Sequence, residues 1–253
     1  MNALKAITAA CATVLLFGHS AFSQADYFVG IAAGALSDRN HFTAETGHSL
    51  TAGALGGMQM FSFGFRKNGI VVASGFGIHR HSWRLIDLNR ETLFFERMPQ
   101  SGPAVNNFVV PISVAKEFKI AGNWHAGFGA GILGLISLDK GFAGKWARYE
   151  YARDDNSYIL TADSSVTFYG NERGFNMALE TSFYLMYQIE NGGEFFARVS
   201  YQAHLKPNFE ARHTFHSEAR DIQGSSQGLN SFAISVGVRH YFKFPNKKDP
   251  EPQ

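Results

Sequence analysis

The residues able to do chemistry in this chain come in pairs and short rows. His79 and His81 stand two apart, a spacing that puts both imidazoles on one face of a strand, as two zinc ligands would need. His213 and His216 sit in a polar stretch and would suit a surface metal. No third ligand follows either pair at a recognisable spacing, so both read as ordinary polar residues, and no metal or other cofactor is expected. His81-Ser82 and His216-Ser217 are adjacent pairs. Neighbours on a strand point to opposite faces, which disfavours a nucleophile and its base at His81-Ser82.

A larger polar set recurs on one face of alternating segments: Glu117, His125, Glu180, Tyr184, Arg198, Gln202, His204, Arg239 and Tyr241. If that face is interior, lone charges there would be costly. Glu117 and Glu180 are therefore expected to pair with arginines or histidines. The network expected is Glu117, Glu180, Arg198, His204 and Arg239, structural rather than catalytic, because ion-pair networks perturb ionisation as active sites do.

The elements that position these residues are strands. Period-2 alternation bounded by turn residues predicts them at 26–36, 50–67, 70–86, 105–119, 124–138, 174–190, 194–206 and 230–244. Lys67-Asn68-Gly69, Ala121-Gly122-Asn123 and Asn191-Gly192-Gly193 are tight turns. Between them lie long polar segments at 37–49, 87–104, 139–173 and 207–229. Long and short links alternate along the chain. That pattern predicts an all-β fold: an eight-stranded antiparallel transmembrane β-barrel, an up-and-down meander with short periplasmic turns and long extracellular loops.

Two hairpins specify faces. A two-residue turn at Asn68-Gly69 puts Phe61, Phe63 and Phe65 on one face with Ile70, Val72, Phe76 and Ile78, and leaves Met58, Met60, His79, His81 and Trp83 on the other. Around Asn191, a three-residue loop pairing Glu190 with Glu194 sets Phe183 against Tyr201, Leu185 against Val199 and Ile189 against Phe195, with Glu180 meeting His204 and Met186 meeting Arg198. The expected lipid-facing residues are Phe183, Leu185, Tyr187, Ile189, Val199, Tyr201, Ile234 and Val236, with Phe175, Phe195 and Tyr187 as interface aromatics. Segment 139–173, with Lys145 to Tyr151 and Ser157 to Thr161 flanking Asp154-Asp155-Asn156, reads as a hairpin projecting above the membrane and continuing the wall. Its charge density argues against two further membrane strands.

Composition is compatible with this and excludes little else. The chain has 253 residues, a formal charge of +2 and 14% aromatic residues, with a mean hydropathy of -0.13. A charge so near zero argues against nucleic acid as a partner. In a membrane barrel, lipid-facing and inward residues average out, so mean hydropathy does not discriminate. At the N-terminus, Lys5, an apolar core from Ala6 to Gly18 and Ala21-Phe22-Ser23 form a secretory signal peptide, expected at 1–23. Cys11 lies inside that core with too little apolar sequence before it for a lipidation site. Its loss on cleavage would leave a mature chain without cysteine, so disulfides are excluded. The barrel is expected over 24–244, and the Lys/Pro/Glu stretch 245–253 as a disordered periplasmic tail.

Ser74-Gly75-Phe76, Val110-Pro111-Ile112, Gly127-Phe128-Gly129-Ala130-Gly131 and Val236-Gly237-Val238-Arg239-His240-Tyr241 occur in order along residues 26–244. On these, the sequence resembles the PorT-like outer membrane protein beta-barrel domain family. The resemblance implies an exported eight-stranded barrel and supplies no catalytic motif. The family is named for a component linked to protein secretion and gliding. The His-x-Ser signature of the lipid A deacylase, a small barrel enzyme, is absent.

The expectation is thus a non-enzymatic outer-membrane barrel acting structurally or as a binding scaffold through its loops. Its expected partners are outer-membrane lipid and lipopolysaccharide, the barrel-insertion machinery, and a protein or glycan ligand at the loops. The rival readings are a lipid A- or lipopolysaccharide-modifying enzyme and a soluble periplasmic lipocalin-like carrier.

Overall fold

Residues that alternate in polarity build strands, and when the last strand pairs with the first the sheet has no edge. The computed structural model describes residues 25–88, 95–138, 142–152, 157–170, 175–189, 192–207, 209–216 and 221–242. The expected signal peptide, Cys11 and the expected tail fall outside them. The described residues form eleven strands: β1 (Asp26–Ala44), β2 (Ser49–Lys67), β3 (Ile70–Leu88), β4 (Phe95–Ala121), β5 (Trp124–Ser137), β6 (Phe142–Ala152), β7 (Ser157–Gly170), β8 (Asn176–Gln188), β9 (Gly193–His204), β10 (Phe209–Phe215) and β11 (Ile222–Phe242). Eight of them, β1-β2-β3-β4-β5-β8-β9-β11, form a closed antiparallel barrel, with β11 returning to pair with β1.

The other three extend the wall at one end. β11 pairs with β9 through Asn230–His240 and with β10 through Ile222–Gln227, so one strand edge takes two successive partners. β7 pairs with β10, and β6 with β7. The segment 139–173 thus contributes the β6–β7 hairpin, which extends the sheet outward from β10. β7 also approaches β3, from which β2, β1, β11 and β10 separate it in the sheet order, which narrows the mouth.

The opposite end, here the turn end, carries both termini of the barrel and its tightest connections. Asn68 and Gly69 both have positive φ, at 53° and 72°, and Lys67 pairs with Ile70, as a two-residue type I′ turn requires. A second two-residue turn, Gly122-Asn123, joins Ala121 to Trp124. The faces of β2 and β3 divide as the Asn-Gly turn predicts, with Phe61 opposite Phe76 and Met58 opposite His79. Of Trp83 only the backbone is described.

Two expectations need correcting. The β8–β9 register differs by two residues: Phe183 faces Val199, Leu185 faces Ala197, Tyr187 faces Phe195 and Glu180 faces Gln202, with Gln188–Glu194 the last pair. Beyond it, Ile189 N–H donates to the Gly193 carbonyl at 2.7 Å and Gly192 takes φ 80°, so the connection is longer than three residues. A shift of two preserves which side chains share a face, so facial sorting cannot detect it.

The second correction concerns the long segments. Residues 37–44 continue β1 to a short turn at Glu45–His48, 95–104 continue β4, and 222–229 continue β11. They lack the alternation of the barrel proper for two reasons. Along Ser37–His41 both faces are polar. In β11, Leu229 is an inserted residue between the pairs Arg39–Asn230 and Asn40–Gly228, and this bulge shifts the inward phase from odd to even numbers.

Candidate functional site

The inward side chains fill the lumen in four tiers. Nearest the turn end, Arg66 donates from Nη1 to Glu194 Oε1 at 2.6 Å and to Glu117 Oε2 at 3.5 Å. Arg239 Nη1 and the Tyr184 hydroxyl each donate to Glu117 Oε1 at 3.1 Å. The two guanidinium groups also stack on rings: Arg66 lies 4.0 Å over Tyr241, and Arg239 lies 4.7 Å from the Phe196 centroid. Two cations and two buried carboxylates thus neutralise one another across four strands, β2, β4, β9 and β11, with the Tyr184 hydroxyl added from β8. In the next tier, Arg198 Nη2 donates to Glu180 Oε2 at 2.6 Å, and Gln202 donates to the other oxygen at 3.3 Å.

The third tier centres on Asp38. Its Oδ1 lies 2.7 Å from His81 Nδ1 and accepts the Ser231 hydroxyl at 2.6 Å, while Oδ2 accepts the Ser82 backbone N–H at 2.8 Å. His204 Nε2 stands 3.3 Å from the same Ser231 oxygen. His79 and His81 are side by side, as their spacing predicts, with ring centroids 5.9 Å apart; His204 lies 5.6 Å from His81 on the other side.

The fourth tier is at the mouth. Phe42, Ala44 and Phe215 form a small apolar core with Leu50 and Ile222 packed against it. His213 stacks on Phe215, meets Phe42 edge-on and shares a hydrogen bond with Ser226. Burial pushes its imidazole down to about 3 from the ordinary 6.5. His213 and His216 do not converge: His213 points inward, while His216 stands 2.9 Å from Asp221 on the outside. Among the described residues, no three metal-ligating side chains form a cation shell.

Along β1, β8, β9 and β11 the outer face of the barrel proper is apolar. Phe183, Leu185, Tyr187, Ile189, Val199, Tyr201, Ile234 and Val236 are all exposed on it, as are Phe175 and Phe195. At the mouth the relation reverses. His41, Thr43 and Arg212 point outward, while Phe42, Ala211 and Phe215 are buried inside.

The structure brings Glu117 to Arg239 and Glu180 to Arg198, while His204 belongs to the Asp38 tier. His125 is half-buried on the inward side near the turn end. Sequence reasoning missed Asp38, Arg66 and Glu194. The signal for two of them was available: Glu194 has the parity of Arg198, and Arg66 that of Met58 and Met60. Asp38 lay in a segment read as loop.

No family model matches the chain, and no curated protein does. Among solved structures it is similar to Neisserial surface protein A, at 13% identity over 86% of this chain and 97% of that one, with a TM-score of 0.43. The outer membrane protein OprG from Pseudomonas aeruginosa matches at 9% identity over 87% and 97%, TM-score 0.44. So does the outer membrane protease OmpT from Escherichia coli, at 9% over 87% and 98%, TM-score 0.44. The likeness is loose, and no activity passes from these proteins to this chain.

Proposed function

We propose that this chain is an exported outer-membrane protein whose barrel crosses the bilayer with its turn end in the periplasm, and that it serves as a non-conducting, non-enzymatic scaffold binding a protein or glycan at its extracellular rim. The exchange of polarity along continuous strands carries the reading. Ile234 and Val236 face outward on β11 while Ser235 and Arg239 face inward; past the bulge at Leu229 the outside is polar, with His41, Thr43 and Arg212, and the inside gathers Phe42, Ala44 and Phe215 around His213 and Ser226. An apolar exterior belongs in lipid, and an apolar interior with a polar exterior belongs in water. From Phe232 to Phe242 the belt rises about 25 Å, given about 3.4 Å per residue and a strand tilt of about 40°. A soluble lipocalin-like carrier would need the opposite polarity along the whole barrel.

The filled lumen supports the non-conducting part. Eight strands enclose room for side chains only, and here opposite charges occupy it. The Asp38 tier supports the non-enzymatic part. The acid binds the Ser231 hydroxyl as well as His81, whereas nucleophilic catalysis needs the acid to orient the base that faces that hydroxyl. The rim formed by β6, β7 and β10 is the proposed binding surface. The PorT-like resemblance belongs to the same proposal and suggests an envelope assembly as the setting.

Membrane fractionation with heat-modifiable gel migration tests the location, and planar-bilayer recording tests the lumen. The protein is expected in the outer-membrane fraction, with a folded band that shifts on boiling and no steady ion current. Recovery of the folded protein from the soluble periplasm would overturn the reading. A lipid A mass profile altered by deletion of the gene would overturn its non-enzymatic part.

A further inference from the structure

We propose that His79 and His81 form a chelate for one divalent cation of the zinc or copper type inside the lumen, with His204 as the neighbouring imidazole and Asp38 as the carboxylate that orients His81. His79 is the observation that demands explanation. It is 1% exposed, and neither Nδ1 nor Nε2 has a hydrogen-bond partner in the structure. A buried imidazole with both nitrogens unsatisfied loses the hydration of a donor and an acceptor and gains nothing for it. Apolar residues of similar size would fill the same place without that cost. A ligand that takes a lone pair from the ring removes the conflict.

The neighbours fit a metal better than another hydrogen-bonding group. Histidines at i and i+2 on one strand face share a side, and the rings of His79 and His81 are 5.9 Å apart between centroids. A metal–nitrogen distance of about 2.0–2.1 Å puts each ring centre about 3.2 Å from the ion, so two rings on one cation lie about 5–6.5 Å apart. His204, 5.6 Å from His81, satisfies the same limit. Asp38 binds His81 through Nδ1, which turns Nε2 away from the carboxylate, the arrangement by which carboxylates fix metal-bound histidines. Asp38 also supplies negative charge beside the cation, and Glu180 lies in the adjoining tier. Since no three ligands converge among the described residues, the chelate is two imidazoles with water completing the shell.

The test uses the full-length protein folded in detergent, without a polyhistidine tag, and Cu2+ as the spectroscopic probe. One equivalent is expected to bind with an electron paramagnetic resonance spectrum split by nitrogen ligands. Zn2+ should displace it. His79→Gln and His81→Gln should each weaken binding at least about tenfold, while His216→Gln, at the exposed outer histidine, leaves it unchanged. Each variant is first checked for the heat-modifiable folded band. Because a lumen variant can fail to fold, isotope-labelled wild-type protein gives a second readout: one equivalent of Zn2+ should shift the imidazole 15N resonances of His79 and His81 but not those of His41 or His216. Absence of a stoichiometric nitrogen-ligated signal, equal binding in His79→Gln, or His79 and His81 resonances unmoved by Zn2+ would each overturn the site.

Discussion

Removing the Glu117 carboxylate should destabilise the barrel far more than removing that of Glu180, although each faces an arginine in the same lumen. Glu117 accepts from Arg239, Tyr184 and Arg66, and its side chain is 3% exposed. In Glu117→Gln, Arg66 keeps Glu194 at 2.6 Å and Asp26 at 4.0 Å. Arg239, with 9% side-chain exposure, loses its ion pair and retains an uncharged amide acceptor, the Met186 sulfur and ring faces. Breaking a buried pair from one side costs about 3–5 kcal/mol, because the stranded charge is not resolvated. In Glu180→Gln the partner is Arg198, whose side chain is 25% exposed and reaches water, and the amide still accepts its hydrogen bond. About 1–2 kcal/mol is expected there. The gap of about 2 kcal/mol is roughly a thirtyfold difference in unfolding constant.

Urea unfolding in lipid vesicles, followed by tryptophan fluorescence and by the folded gel band, measures both variants under one protocol. A paired variant, Glu117→Leu with Arg239→Met, removes both charges and should recover most of the loss, since an apolar pair of similar volume strands nothing. If Glu117→Gln costs no more than Glu180→Gln, or if the double variant is worse than the single, the first tier does not hold the barrel as ion pairs.

Further expectations concern the turn, the belt and the mouth. Gly69→Ala should cost at least about 1–2 kcal/mol in the same unfolding assay, because φ is 72° and a Cβ there would lie 2.6 Å from the Glu117 carbonyl; Asn68→Gly should be nearly neutral. Ile234→Lys puts a cation on the outer belt and should cost about 2–4 kcal/mol in a bilayer, whereas Thr43→Lys at the rim should cost under about 0.5 kcal/mol. At the mouth, burial holds His213 neutral with a folded value of about 3 against 6.5 unfolded. The opened form therefore binds the proton more readily. The tier's stability is complete above about pH 6.5 and is lost as pH falls toward about 3. Amide exchange in β10 and in Ile222–Gln227, corrected for intrinsic rate, should be up to about a hundredfold faster at about pH 4.5 than at neutrality, and His213→Gln should remove that dependence.

What was legible in the sequence follows from the environment each strand crosses. Between Val29 and Ala35, or Phe232 and Phe242, one face meets an apolar exterior and the other a polar lumen, so alternation is strong and the strands are easily read. From Ser37 to Thr43 the outside is polar, and the inside holds Asp38 and Asn40 before Phe42. With little contrast between faces, the segment reads as a loop, and Asp38, the centre of the third tier, is passed over. The same holds for β11, where the bulge at Leu229 interrupts a pattern that resumes in opposite phase. A long polar link in such a barrel is thus better read as strand until a bulge or turn residue ends it.

The second limit is one of register, and it decides how far a site can be assembled without coordinates. Facial sorting constrains a strand pair only modulo two residues, so it places Glu180 and Arg198 inward correctly and assigns each the wrong cross-strand neighbour. The offset matters chemically. In the expected register Glu180 faces His204; in the structure it faces Gln202, with Arg198 reaching it diagonally and His204 released to the Asp38 tier. Two lumen tiers with different chemistry would have been merged into one. What fixes the true offset is the connection around Gly192, whose positive φ and Ile189–Gly193 hydrogen bond add length to the loop. At Asn68-Gly69 the turn type is dictated by two residues with left-handed backbone, and there the register followed from sequence alone. Partner assignment in a barrel lumen is therefore only as good as the nearest turn whose geometry its residues dictate.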